Sequence, residues 1–194
     1  MSITSGAKRD VIAELAPLAE QSSVLADAIA LTKPRLSALV LLSTATGYIL
    51  GCQGYVDSMV LLDTILGTTL VALGSGALNQ LLERKSDALM ERTRNRPLVT
   101  GRMSPGAALY VGVISSIAGM LYLAARVNLD ASMLAAVTLG LYVFVYTPLK
   151  RVTTLNTLVG AIPGALPPLI GWAAAADGQL NAKAWALFGI VFIW

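Results

Sequence analysis

Long apolar blocks constrain this chain more than any other feature. They cover 36–54, 59–82, 107–124, 131–147 and 157–176, and a sixth opens near Ala184 and stops at Trp194. A helix that crosses a bilayer needs about 20 mostly apolar residues, within about 17–25. The first five blocks meet that length. Each is continuous rather than alternating, and in lipid only helices or closed barrels satisfy their own backbone. The expected fold class is all-α, a multi-span transmembrane helical bundle. Composition agrees: only 13% of the 194 residues are charged, where a soluble domain carries about a quarter. The lipid bilayer is an expected partner, and nucleic acid is not.

The sixth block would end inside the bilayer, leaving its last carbonyls without partners. The chain therefore reads as a piece of a longer protein, with five complete spans and a truncated sixth. Residues 1–30 are polar to mildly amphipathic, and Asp10, Glu14 and Glu20 interrupt any run resembling a signal peptide. They form an expected cytosolic tail ahead of a membrane domain over 31–194, incomplete at its C-terminus.

Charge is distributed unevenly between the links. Lys8, Arg9, Lys33 and Arg35 precede the first span, and the next link, CQGYVD, has no Lys or Arg. Arg84, Lys85, Arg92, Arg94, Arg96 and Arg102 crowd the link after that. Arg126 then stands alone, Lys150 and Arg151 come together, and Lys183 is again alone. Alternation of rich and poor links is the positive-inside pattern. It predicts a multi-pass protein of the cell (inner) membrane, with the N-terminus and the Arg-rich loop cytoplasmic. Trp172, Trp185 and Tyr55 fall at the opposite ends of their spans, where an aromatic belt is expected. Cys52 is the single cysteine and histidine is absent. That excludes an internal disulfide, and imidazole as ligand or base, within these residues.

The stretch NQLLERKSDALMERTRNRP ends the second apolar block. Asn79, Glu83 and Asp87 recur every four residues, which on a helix keeps three oxygen-bearing side chains on one stripe. Such a stripe suits a hard cation, and Mg²⁺ typically takes one or two carboxylates, waters and substrate phosphate oxygens. The alternative is a solvated helix end, with Glu83 paired to Arg84 or Lys85 and Glu91 to nearby arginines. Arg92, Arg94 and Arg96 follow at once, and carboxylate-held metal beside guanidinium groups suits a diphosphate. The link YTPLKRVTTLN adds Tyr146, Lys150 and Arg151 at the same face, either as phosphate ligands or as plain anchors. Pro148 argues against a continuous helix there. LTKPRL adds Lys33 and Arg35. In GAIPGALPPLIGW, Gly160 and Gly164 have the spacing of close helix packing. Pro163, Pro167 and Pro168 kink the same span, which serves either packing or a cavity wall.

ALNQLLERKSDALMERTRNRPLVTGRMSP resembles the first motif of the UbiA superfamily of intramembrane prenyltransferases. LTKPRL and YTPLKRVTTLNTLVGAIPGALPPLIGWAAA are most like its haem-farnesylating branch. The likeness covers roughly 28–194. The family motif, N-x-x-x-D-x-x-x-D, falls on Asn79, Glu83 and Asp87, with Glu in the middle position. The resemblance implies about nine helices around a central cavity, Mg²⁺ as cofactor, and catalytic and metal-binding roles for Asn79, Glu83 and Asp87. It implies farnesyl diphosphate as donor, haem b as acceptor and haem O as product on the route to haem A, and association with haem A synthase. Lys33, Arg35, Arg92, Arg96, Tyr146, Lys150 and Arg151 become the expected diphosphate ligands. A second aspartate-rich motif of the family is not among these residues, so the 194 residues alone are expected to be inactive. A quinone or chlorophyll precursor is the other acceptor the superfamily offers. A transporter or structural membrane subunit is the reading from another class, and it would want charges at the span centres.

The charge pattern generates a topology test. With Cys52 changed to Ser, an impermeant thiol reagent applied outside the cell should label Gln53→Cys and not Ser104→Cys. The opposite labelling would put the carboxylate stripe on the outer face.

Overall fold

The structure, a computed structural model, describes residues 27, 31, 33–52, 54–150 and 152–194. The expected tail apart from Asp27, the candidate ligand Arg151, and Gln53 lie outside the described residues. All regular structure among those residues is helical. The helices are α1 (Pro34–Gly51), α2 (Ser58–Asp87), the single turn α3 (Pro97–Thr100) and α4 (Pro105–Arg126). They continue with α5 (Leu129–Leu149), α6 (Asn156–Ala175) and α7 (Ala182–Ile193). By length and composition α2, α4, α5 and α6 can each cross a membrane, and α1 and α7 are shorter apolar helices. The chain is a multi-pass membrane protein.

Polar residues between the apolar blocks start the helices. Asp57 accepts from the Met59 and Val60 amides at 2.9 and 3.3 Å, Ser104 from Ala107 at 3.1 Å, and Asn128 from Ala131 at 2.8 Å. Each cap satisfies amides that the first helical turn leaves open. The helix ends collect at two faces. Lys33, residues 88–104, Lys150 and residues 152–155 form one, and Cys52 with residues 54–57, 127–128 and 176–181 form the other.

Apolar attraction between helices is weak in lipid, so close packing of small residues brings them together. On α2 and α4, a Cβ at Gly74 would come within 2.6 Å of the Gly112 carbonyl oxygen and would also strike Ser116 Oγ. On α1 and α6, a Cβ at Gly171 would overlap the Thr44 carbonyl oxygen. The other glycine of the expected packing pair, Gly164, has nothing within 4 Å of where a Cβ would stand. The close backbone contact of α6 therefore lies about two turns beyond Gly164, while Gly160 meets the Tyr146 ring. Leu39, Leu42, Leu121 and Ile190 remain exposed on the outside of the bundle, where lipid would cover them.

Two sequence expectations need correction. Pro148 does not end the fourth span. The chain widens into a π-helical stretch at Leu141–Tyr146, the Thr147 amide bonds to the Tyr142 carbonyl, and helix continues to Leu149. A widened turn absorbs the missing proline donor that would otherwise break the ladder. Trp172 is not at a membrane rim. It is 4% exposed and packs with Leu166, Leu169 and Ala184, because α1 and α7 both lie against the second half of α6. Trp185 and Tyr55 do stay exposed.

The glycine contacts yield a stability prediction. Gly171→Ala should cost about 1–3 kcal/mol through overpacking, while Gly164→Ala should be close to neutral. Thermal unfolding of the two variants in the same detergent, followed by monodispersity, checks this. Equal melting points would remove the close α1–α6 contact as a determinant of the fold.

Candidate functional site

At 30 residues α2 is the longest helix, about 45 Å at 1.5 Å per residue. It therefore outruns a hydrocarbon core of about 30 Å, and its last turns carry polar groups. Asn79, Glu83 and Asp87 lie there on one stripe and are all buried. Asn79 Nδ2 donates to Glu83 Oε2 at 2.6 Å. Asn79 Oδ1 lies 3.3 Å from Thr147 Oγ1, whose hydroxyl is also 2.7 Å from the Tyr142 carbonyl.

The local salt-bridge alternative fails for Glu83. Its partners are neither Arg84 nor Lys85, since residues one and two apart on a helix face different ways. Instead Lys150 Nζ, from the end of α5, donates to Glu83 Oε1 at 3.3 Å, and Lys33 Nζ lies 3.9 Å from Oε2. Arg96 Nη1 is paired with Asp87 Oδ2. The loop is tied to the stripe by Thr93 Oγ1, which donates to the Asp87 carbonyl at 2.9 Å. Only the outer pair Glu91–Arg94, 3.8 Å apart and exposed, follows the local alternative. Such a pair contributes little.

Each cation reaches the stripe for a local reason. Lys33 holds a left-handed backbone, φ 48°, immediately before Pro34. That conformation costs a non-glycine residue about 1–2 kcal/mol. It persists where surroundings enforce it, often at functional sites. Burial pushes the Lys33 ammonium below its ordinary pKa, and the Glu83 carboxylate opposes the shift. Lys150 is placed by the π-helical stretch, which also stacks Tyr142 on Tyr146 at 5.6 Å between ring centres. Arg96 is placed by the turn that opens α3 at Pro97.

Of the expected ligands, Lys33, Arg96 and Lys150 meet the carboxylates, and Tyr146 stands beside them on a cavity wall. Arg35 and Arg92 are exposed at the same face and form no ion pair among the described residues. Thr147 and Thr93 escaped the sequence reading, because a hydroxyl at a helix end has no spacing signature. The ion pair of Asp27 with Arg102, 3.1 Å, was equally invisible.

Below the cluster lies a cavity of about 380 Å³, with Lys33, Tyr142 and Tyr146 at its mouth. Gly160, Pro163 and Gly164 form one wall, so the glycine- and proline-rich span borders a cavity. A Cβ at Gly160 would come 2.5 Å from the Tyr146 ring. Among the described residues no group of three or more His, Cys, Asp or Glu could hold a metal unaided. Two carboxylates and one amide oxygen fit Mg²⁺ well, since it keeps waters and shares substrate oxygens.

The sequence profile of the UbiA prenyltransferase family matches residues 40–194. Among curated relatives, a protoheme IX farnesyltransferase of Solibacter usitatus is 49% identical over 177 residues, covering 87% of this chain and 60% of the relative. One of Gloeobacter violaceus is 45% identical over 174 residues, covering 89% of this chain and 57% of the relative. The chain thus spans about three fifths of the length of these relatives. Among solved structures, a UbiA homolog from Archaeoglobus fulgidus bound to DMAPP and Mg²⁺ superposes with a TM-score of 0.70. It is 18% identical, with 86% of this chain and 60% of that chain covered. That likeness bears on the fold. With the profile matched over most of its length and a close curated relative, the chain belongs to the UbiA prenyltransferase family.

Proposed function

We propose that the protein carrying this chain transfers a farnesyl group from farnesyl diphosphate to a vinyl group of haem b, making haem O. The observation that carries this reading is the buried stripe Asn79, Glu83 and Asp87, faced by Lys33, Arg96 and Lys150 at the mouth of an apolar cavity. The choice of haem as acceptor is supported by the curated relatives' names. Support for Mg²⁺ comes from the donor set and from the solved homologs, which were bound to Mg²⁺ with DMAPP or GPP.

Charge balance favours a diphosphate. Three cations face two carboxylates, so the cluster alone has a small positive excess. With bound Mg²⁺ that excess rises to match an organic diphosphate, which carries about three negative charges when fully ionised. Glu83 and Asp87 would hold the metal, joined by the Asn79 oxygen once that amide turns its oxygen from Thr147 toward Glu83, and the metal would supply Lewis-acid shielding of the diphosphate oxygens. Lys33, Lys150 and Arg96 would then turn from their carboxylates to the phosphate oxygens. The C–O bond of the donor breaks with its electron pair on the diphosphate, and these fixed charges stabilise it as it leaves. The vinyl π-electrons form the new C–C bond, and water captures the resulting cation and releases a proton. No protein nucleophile is required. The apolar wall below the mouth keeps water from the allylic cation until then.

The face bearing Lys33, Arg96 and Lys150 is proposed to be cytoplasmic, in the cell inner membrane, because lysine and arginine gather there. Haem A synthase is the proposed recipient of the product.

In the full-length protein, Asp87→Asn and Glu83→Gln should each lower the rate of haem O formation about 10²–10³-fold, the usual cost of one electrostatic stabiliser. Lys85→Ala should change it little, since Lys85 is exposed on the far side of α2. Assays at matched protein levels decide: damage from Lys85→Ala equal to that from Asp87→Asn would refute the stripe. Chelation with EDTA should abolish turnover and added Mg²⁺ should restore it. Activity that survives full chelation would remove the metal from the reading.

A further inference from the structure

Lys33 stands just before α1, with Nζ 3.9 Å from Glu83 Oε2. A residue before proline ordinarily takes an extended backbone, yet Lys33 is left-handed, φ 48°. Contacts from elsewhere must hold it there, and they are found two residues earlier. Leu31 is 1% exposed and packs in a buried cluster with Ala77 of α2, Leu98 of α3 and Ala108 of α4. Its carbonyl accepts from Gln80 Nε2 at 3.1 Å. Gln80 is also buried. A carbonyl only accepts, so it is the amide's NH2 group that faces it. The ion pair of Asp27 with Arg102 ties the chain further back, but Arg102 is half exposed, so that pair contributes little.

Gln80 and Glu83 are three residues apart on α2. They occupy neighbouring positions of one face, about 4.5 Å apart along the axis. Two residues of chain span at most about 7 Å. Holding the Leu31 carbonyl at Gln80 therefore keeps the Lys33 backbone beside the last turns of α2, within reach of Glu83.

We propose that Gln80 is a positioning residue for the donor site: by holding the Leu31 carbonyl it fixes the backbone that carries Lys33, so that the ammonium group can swing from Glu83 to a phosphate oxygen while the segment stays in place. This rests on the proposed function in one respect: an organic diphosphate must bind at Glu83 and Asp87. A lysine on a loose segment would lose part of its attraction for the phosphate to the entropy of ordering that segment. A neutral amide suits the task. It satisfies a buried carbonyl without adding a charge beside Glu83, and it stays engaged when the lysine changes partner.

The test is a double-mutant cycle on the full-length protein in lipid nanodiscs with Mg²⁺, read as the affinity for labelled farnesyl diphosphate. Gln80→Met keeps the length of the side chain and removes the donor, and Lys33→Ala removes the ammonium. Lys33→Ala should weaken binding roughly 10–100-fold, as loss of a hydrogen bond from a charged group does. Gln80→Met should weaken it on the order of 10-fold. The double variant should bind within about 2-fold of Lys33→Ala alone, because the two residues act as one. If Gln80 only supports the fold, its loss acts whether or not Lys33 is present, and the two factors multiply. That result would overturn the positioning role, as would unchanged affinity in either single variant. Should Gln80→Met fail to fold, Leu31→Ala loosens the same anchor from the other side and takes its place in the cycle, with the same outcomes. A wild type that binds no farnesyl diphosphate would overturn both the positioning role and the proposed function. The predicted coupling, together with no prenylation of haem b in a separate assay, would keep the positioning role and overturn the acceptor.

Discussion

Close approach of backbones through glycine is the contact on which the rest of this bundle depends. Gly74 lets α2 meet α4 at Gly112 and Ser116, and Gly171 lets α6 meet α1 at Thr44. In lipid, apolar side chains gain little by leaving hydrocarbon for each other, so association needs dispersion at short range. Where these pairs touch, the helices are tightly joined. Between α1, α2, α5 and α6 a cavity remains.

The site exists because one helix is longer than the apolar layer. The final turns of α2 carry two carboxylates into a buried position that would be prohibitive for unpaired charges. Lys33, Arg96 and Lys150 make it tolerable, and each comes from a different segment. Loss of Arg96 would leave Asp87 uncompensated, and loss of both lysines would do the same to Glu83, whereas a bound metal and an anionic ligand together compensate both sides. Ion pairs buried in this way are weak evidence for stability. Their placement at a cavity mouth is better explained by ligand chemistry than by support of the fold.

Asp63, the acidic residue that stands within the apolar part of α2, does not compete with this site. It accepts from Tyr122 Oη at 2.6 Å and pairs with Arg126 at 3.3 Å, toward the opposite face. It is held as part of an α2–α4 contact and leads to no path across the bundle centre. That arrangement speaks against a transport pathway.

Much of the architecture was legible in the sequence, because a bilayer leaves few solutions for apolar blocks of this length and the helical period puts Asn79, Glu83 and Asp87 on one stripe without tertiary help. Lysine and arginine counts likewise sorted the links onto two faces. Tertiary structure alone decided which cations reach the carboxylates. Arg96 and Arg92 look alike in RTRNRP, yet only Arg96 meets Asp87, because the turn before Pro97 aims it inward. Lys150 reaches Glu83 only because a π-helical stretch carries α5 through Pro148. Trp172 looked like a rim residue until α1 and α7 closed over it. Local periodicity reports what each segment does alone, whereas side-chain partners depend on distances between segments far apart in the chain, which no local pattern encodes.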